Sequence, residues 1–380
     1  MNPVLFSLPA QAARYFAAIC LGAVLAACST GDKIKPAELA ANPATLAVRS
    51  AWTNRVGPVD FSLEPHVLGA TLTVAGSDGT VAALDAVSGG DLWRVQIGAP
   101  ITAGVGSDGK ISAVVNRDNE VVAIESGRVL WRQQLPAQSY TPPLVAGGRV
   151  FVVTADRSVT ALDGASGTKL WTQQRPGDAL VLKQSGVLLA VADTLVVGQS
   201  GRLVGLNPDN GSVRWEVPIG TARGTNDVER LIDLVGRASR VGNVVCARAF
   251  QSAVGCVDGV RGQLLWSNKS NGSVGVSGDD KLLLGTEADG KLVAWKRVDG
   301  ERAWNTEQLL HRGLSAPVLF GKAVAVGDSV GLLHLLSRDN GVTLNRLSTD
   351  GSAIAVAPVA VGKTLVVVTS AGAIYGFVPE

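Results

Sequence analysis

One short pattern recurs along the chain and constrains its fold more than any other feature. From Asp78 to Trp93 it reads DGTVAALDAVSGGDLW: a polar-glycine turn, a short apolar strand, an Asp, a Ser-Gly turn and a strand carrying a Trp. It returns at Asp156–Trp171, Ser200–Trp215, Ser252–Trp266 and Asp289–Trp304, and in shortened form at Asp118–Trp131. In the full copies a Gly stands four residues before the Trp: Gly89 and Trp93, Gly167 and Trp171, Gly211 and Trp215, Gly262 and Trp266, Gly300 and Trp304. Repeats of roughly 40 residues with about four short strands each are the signature of a β-propeller. Forty-five Gly and 46% hydrophobic residues suit many short strands joined by tight turns.

Counting copies predicts the closure of the ring. Third-strand segments centre on Val81, Val121, Val159, Leu203, Val254, Leu292, Leu332 and Ile374, which makes eight units. The seventh carries Asn345 where Trp is expected, and the eighth stops after its third strand. The missing strand stands at the front of the fold: Ser50–Gly57, SAWTNRVG, resembles Asp91–Gly98, DLWRVQIG. The expectation is an all-β, eight-bladed β-propeller of four-stranded antiparallel blades over residues 50–380, whose N-terminal strand completes the last blade and leaves no open edge between first and last. The repeated Trp52, Trp93, Trp131, Trp171, Trp215, Trp266 and Trp304 read as structural: a large ring packs between blades and its indole N–H finds a backbone acceptor. Asp85, Asp163 and Asp258 are expected to accept hydrogen bonds from backbone amides of their turns.

Residues 1–49 stand outside the repeat. Tyr15–Ala27 is apolar, too short to span a bilayer as a mature helix, and is preceded by Arg14, which is a signal-peptide pattern over residues 1–27. The ending Leu25-Ala26-Ala27-Cys28 resembles the bacterial lipobox, which implies that Cys28 is lipidated; an ordinary secretory signal or a short membrane anchor is the alternative. Residues 28–49, with Pro36 and Pro43, read as a lipidated flexible tether. Ser29 rather than Asp after the Cys implies, by the same resemblance, sorting to the periplasmic face of the outer membrane.

Removal of the signal leaves Cys246 and Cys256 in an oxidising compartment. They stand equidistant from Gln251 and would face each other across a hairpin, where a disulfide can form; two buried thiols are the alternative. With 34 Lys and Arg against 32 Asp and Glu, no nucleic-acid partner is predicted. His66, His311 and His334 show no metal-ligand spacing, and His334, inside an apolar strand pattern, reads as a satisfied structural His. No nucleophile elbow, phosphate loop or dinucleotide fingerprint in a strand–helix context is present, so no catalytic residue, metal or cofactor is assigned.

The period breaks in two places. Trp171 and Trp215 are 44 residues apart, and Trp215 and Trp266 are 51 apart. The additions fall in Gly177–Val187 and Gly220–Gly236, and insertions into repeat folds map to loops on one face, often the binding face. The second mixes Arg223, Asp227, Glu229, Arg230 and Asp233 with Val228, Leu231, Ile232 and Leu234, a composition that suits a contact surface.

The Ala-Leu-Asp…Ser-Gly…Trp repeat resembles that of pyrroloquinoline-quinone (PQQ) dependent dehydrogenases. The lipobox, the stretch Leu309–Leu319 with Val326–His334, and Asp227–Asp233 make the chain from about Cys28 onward similar to the BamB family, lipoproteins of the outer-membrane β-barrel assembly machinery. The resemblance implies a non-enzymatic scaffold that binds the periplasmic domains of BamA, the barrel-forming subunit, and promotes insertion of β-barrel proteins; exposed sheet edges or a concave face could also receive unfolded barrel clients by strand addition. It implies contact through two loops, matched here by Leu180, Leu182 and Lys183 and by Arg230 and Asp233. Lys183 replaces the family's Arg, and Val235 replaces its second Asp, so that acidic contact is absent. The alternative is a PQQ-dependent dehydrogenase-like periplasmic enzyme, against which stand the absence of adjacent Cys residues and of a recognisable Glu/Asn metal set with a catalytic Asp.

Overall fold

The computed structural model describes residues 34–60, 63–175, 181–221, 232–354 and 356–380. The expected signal sequence, Cys28, Leu180 and Arg230 lie outside these residues. The chain divides into an N-terminal unit of residues 1–36 and a second unit, Ala37–Glu380, which holds every described strand.

The described strands form eight four-stranded antiparallel sheets. Blades 1 to 7 each use four consecutive strands, and span His66–Gln96, Ile101–Gln134, Leu144–Gln173, Leu188–Pro218, Leu234–Lys269, Val276–Thr306 and Val318–Ser348. Blade 8 takes three strands from the end of the chain, Val359–Val361, Thr364–Val368 and Ala373–Pro379, and its outermost strand, Val48–Arg55, from the beginning. That strand pairs antiparallel with Ala373–Pro379 and sets Trp52 opposite Gly376. The expected closure is therefore present.

Strand sequence follows position in the blade. Second and third strands such as Ile111–Asn116 and Val159–Asp163 are almost wholly buried, because a neighbouring blade covers each face. Outermost strands such as Asp91–Gln96 alternate exposed and half-buried residues. Successive strands run in opposite directions, so the connectors between blades and the second-to-third-strand turns share one face of the ring. That connector face carries both insertions.

The Trp–Gly repeat is a lock between blades. Each Trp sits opposite a small residue of its own third strand: Trp93 opposite Ala83, Trp171 opposite Ala161, Trp215 opposite Gly205, Trp266 opposite Cys256. The ring then lies over the positive-φ Gly in the turn of the following blade. A Cβ on Gly89 would come 2.4 Å from Trp52, on Gly167 2.6 Å from Trp131, on Gly262 2.3 Å from Trp215 and on Gly300 2.5 Å from Trp266. The indole N–H of Trp131 donates to Gly164 O at 2.8 Å, that of Trp171 to Pro208 O at 2.9 Å and that of Trp266 to Arg297 O at 2.8 Å. Glycine is required there twice over, for its conformation and for the ring above it. The turn Asp residues act as expected: Asp85 Oδ1 accepts from the amides of Val87 and Ser88, and Asp163 and Asp258 accept likewise. The amide and hydroxyl of Ser88 hold the Asp85 carboxyl below its ordinary range.

Blade 7 inverts the pattern. Asn345 occupies the Trp position and faces Leu335, so bulk has moved from the outer strand to the third strand. Blade 8 has no third-to-fourth-strand turn, because its fourth strand arrives from the other end of the chain. A Trp at position 345 would have no turn glycine to cover.

One boundary needs correction. The expected tether ran over residues 28–49, but from Ala37 the chain is bonded to the ring: Ala37 N–H donates to Leu310 O at 2.9 Å and Thr45 N–H to Leu344 O at 2.8 Å, and Val48 is already strand. Folded structure begins near residue 37, not 50.

Candidate functional site

The two period-breaking loops are successive inter-blade connectors, from blade 3 to blade 4 and from blade 4 to blade 5. Their described parts meet. Asp233 Oδ2 accepts the backbone N–H of Leu182 at 3.0 Å, joining segments 51 residues apart. Its Oδ1 lies 3.3 Å from Arg157 Nη1. Arg157 stands in the second-to-third-strand turn of blade 3, is 6% exposed, and is held in turn by Gln199 of blade 4, whose Nε2 donates to Arg157 O at 3.1 Å. Backbone bonds complete the junction: Gly236 N–H donates to Ser185 O at 2.6 Å, and Phe250 N–H to Asp233 O at 2.9 Å. Ile232 is buried over Gly201 and Gly220, either of which would clash with it if a Cβ were added.

These contacts sort the sequence-predicted site residues. Leu182 is half-buried and Lys183 exposed, so both present surface. The Asp233 side chain is only 16% exposed, and its carboxylate is turned inward as a latch between the loops and Arg157. Val235, which lacks the family's acid, is buried in the innermost strand of blade 5. Sequence reasoning missed Arg157; the signal was a lone Arg in the turn DRS, where the repeats of blades 1, 4 and 6 carry Gly79, Gly201 and Gly290.

Cys246 and Cys256 are register partners on the second and third strands of blade 5, with Cα atoms 4.0 Å apart and sulfurs at bonding distance. Both are fully buried, beside Trp266. The pair belongs to the blade core, away from the loop surface.

The three His residues stay apart. His66 lies on the inner strand of blade 1, His311 in the connector from blade 6 to blade 7, and His334 in the core of blade 7. His334 is a structural core residue, as expected, but only half satisfied: Nε2 lies 3.0 Å from Asp328 Oδ2 while Nδ1 is buried without a hydrogen-bond partner, and burial pushes its pKa down. Among the described residues no group of three or more His, Cys, Asp or Glu could hold a metal.

The ring centre tests the dehydrogenase alternative, since the innermost strands would have to enclose a flat quinone. Arg237, on the inner strand of blade 5, reaches the opposite blade: its Nη2 donates to Pro65 O at 3.2 Å, and its Nε lies 3.8 Å from Glu64 Oε2. Burial raises the Glu64 pKa, an effect the Arg237 charge partly offsets. A side chain strung between opposite blades divides the space a tricyclic cofactor would need. The residues present do not fit PQQ.

The chain has counterparts among known proteins. The family model described as "Outer membrane protein assembly factor BamB" matches residues 77–306. A protein of that name from Burkholderia pseudomallei is 37% identical over 97% of this chain and 99% of its own length. Another, from Bordetella pertussis, is 36% identical over 91% of each. Among solved structures, BamB from Moraxella catarrhalis superposes with a TM-score of 0.79 at 24% identity, over 87% of this chain and 99% of that one. The quinohemoprotein alcohol dehydrogenase of Comamonas testosteroni gives 0.67 at 14% identity, over 90% and 78%, a likeness of fold alone.

Proposed function

The chain belongs to the BamB family of outer membrane protein assembly factors, and we propose that it serves the barrel-assembly complex as a non-enzymatic scaffold, docking on the periplasmic domains of BamA. The observation that carries this reading is the junction of the two period-breaking connectors. Asp233 ties them into one composite surface on the connector face. Leu182 and Lys183 lie on that surface, and Leu180 and Arg230 belong to the same two loops. A half-buried Leu beside a Lys suits a docking patch, with the apolar group desolvated on contact and the charge at its rim. Asp233 positions this patch from beneath. Lipid on Cys28 anchors the protein at the periplasmic face of the outer membrane, where it assists barrel insertion; unfolded barrel clients are secondary partners. No step of quinone chemistry is assigned to the ring centre, where Arg237 crosses.

The test is co-purification of BamA from solubilised outer membranes. Leu182→Ala should weaken recovery by about 5- to 30-fold, the range of a contact worth roughly 1–2 kcal/mol. Asp233→Ala should do the same by releasing the loop, with faster amide exchange across 181–187. Undiminished recovery with the double variant refutes the docking surface. Dye reduction on addition of PQQ and Ca²⁺ refutes the non-enzymatic reading.

A further inference from the structure

Seven seams of the ring join a Trp of one blade to a Gly of the next, and the seam between blades 7 and 8 has neither partner. What occupies it is the chain between Asn42 and Ala47, while residues 37–40 run on along blade 7 to the connector from blade 6. Asn42 Nδ2 donates to Asn345 Oδ1 at 2.9 Å and to Arg346 O at 3.1 Å. Asn345 Nδ2 donates to Leu46 O at 2.8 Å. Thr45 donates to Leu344 O through both its amide, at 2.8 Å, and its hydroxyl, at 3.1 Å. Arg346 Nη2 donates to Ala40 O at 3.2 Å and Arg312 Nη1 to Ala37 O at 3.1 Å. Leu46 packs into the cluster around Leu335 and Phe377, and Leu39 into the cluster around Trp304 and Leu309. The segment thus covers outward carbonyls of the blade 7 edge, which would otherwise be left unpaired.

We propose that residues 37–47 form a strap that replaces the missing Trp–Gly lock, and that by pinning Ala37 beside Leu310 it fixes where the N-terminal chain leaves the ring. Asn345 is the strap's receptor. Its side chain takes the place of the indole and exchanges hydrogen bonds with Asn42 and Leu46, which a Trp could not do in both directions. Leu310 lies in the connector from blade 6 to blade 7, so the exit point is on the connector face, the face that carries Leu182 and Asp233. The consequence for the membrane rests on the anchoring proposed above. Nine residue steps join Cys28 to Ala37, a reach of at most about 30 Å, whereas a free chain to residue 50 would allow about 75 Å. The docking face is thereby held on the ring face from which the anchor departs.

Hydrogen exchange on the purified full-length protein tests the strap. In the wild type, the amides of Ala37 and Thr45 should exchange at least about tenfold more slowly than open chain. Asn345→Ala, and separately Leu39→Ala with Asn42→Ala and Thr45→Ala, should abolish that protection. Both should also speed exchange across 343–348 and 48–55 while leaving 149–153 unchanged. Unprotected strap amides in the wild type overturn the proposal without any variant, as does a seam whose protection is indifferent to loss of the strap. A protease site inserted between Ala41 and Asn42 should be cut slowly in the wild type and rapidly in Asn345→Ala; equal rates overturn the strap. Membrane fractionation of Cys28→Ala reads the anchoring alone, so its failure and that of the strap are distinguishable.

Discussion

Gly300→Ala isolates the lock that repeats around the ring. Gly300 has φ +76°, and a Cβ there would come 2.5 Å from Trp266 Cε3 and 2.6 Å from Cδ2. Trp266 is 8% exposed and tied through its indole N–H to Arg297 O, so it cannot swing aside without losing that bond. Three costs follow: about 1–2 kcal/mol for a left-handed Ala, about 1–3 kcal/mol for overpacking and about 0.5–1.5 kcal/mol if the indole bond is lost. Gly362→Ala is the control, with φ +58° and nothing within 4 Å of the new Cβ. It incurs the backbone cost alone, offset by about 0.4–1 kcal/mol through a stiffer unfolded chain. Urea unfolding followed by circular dichroism should therefore show a loss of about 3–5 kcal/mol for Gly300→Ala and about 1 kcal/mol for Gly362→Ala. Adding Trp266→Ala to Gly300→Ala should cost at least about 1 kcal/mol less than the sum of the single changes, because the second change removes the clash created by the first. Equal losses for the two Gly variants, together with additivity in the double variant, would refute the lock.

Two further outcomes follow from buried groups. Burial lowers the pKa of both His66 and His334, with the nearby Arg237 charge adding to the effect on His66. The unfolded chain then binds protons first, so stability should fall as pH drops below about 6.5, by up to about 1.4 kcal/mol per pH unit for each His until the folded value is reached. His334→Gln should remove its share, read as a flatter difference curve against wild type from pH 7 to 5; the opposite contribution of Glu64, whose pKa is raised, is common to both proteins and cancels. The Cys246–Cys256 link closes a loop with a sequence separation of 10, and Cys246→Ala with Cys256→Ala should cost roughly 2–3 kcal/mol. Intact mass of the denatured wild type should rise by two hydrogens on reduction, and an unchanged mass would show two free thiols.

Much of the fold was legible because its causes are local and periodic. An Asp that accepts its own turn's amides, a Gly that the turn requires, and a strand buried between two neighbours all leave marks within about a dozen residues, and the marks recur. Closure by the strand around Trp52 was legible for the same reason, as a fourth strand missing at one end and present at the other. The connectors of the candidate site announced themselves by breaking the period. What the chain order could not say is which partner each residue meets once the ring closes. The Gly four places before a Trp serves the preceding blade's Trp, not its own. Asp233 looked like a charge for a partner and is a latch to Leu182 and Arg157. Arg237 finds Glu64 and Pro65 across the ring centre. Asn345, read as a lapse in the repeat, is the receptor for a strap some 300 residues away in the chain. The repeat by itself determined the blade, its turns and the number of blades, since these depend on short-range hydrogen bonding and burial. The tertiary structure alone decided the latch, the channel crossing and the strap, because each joins residues that only the closed circle brings together.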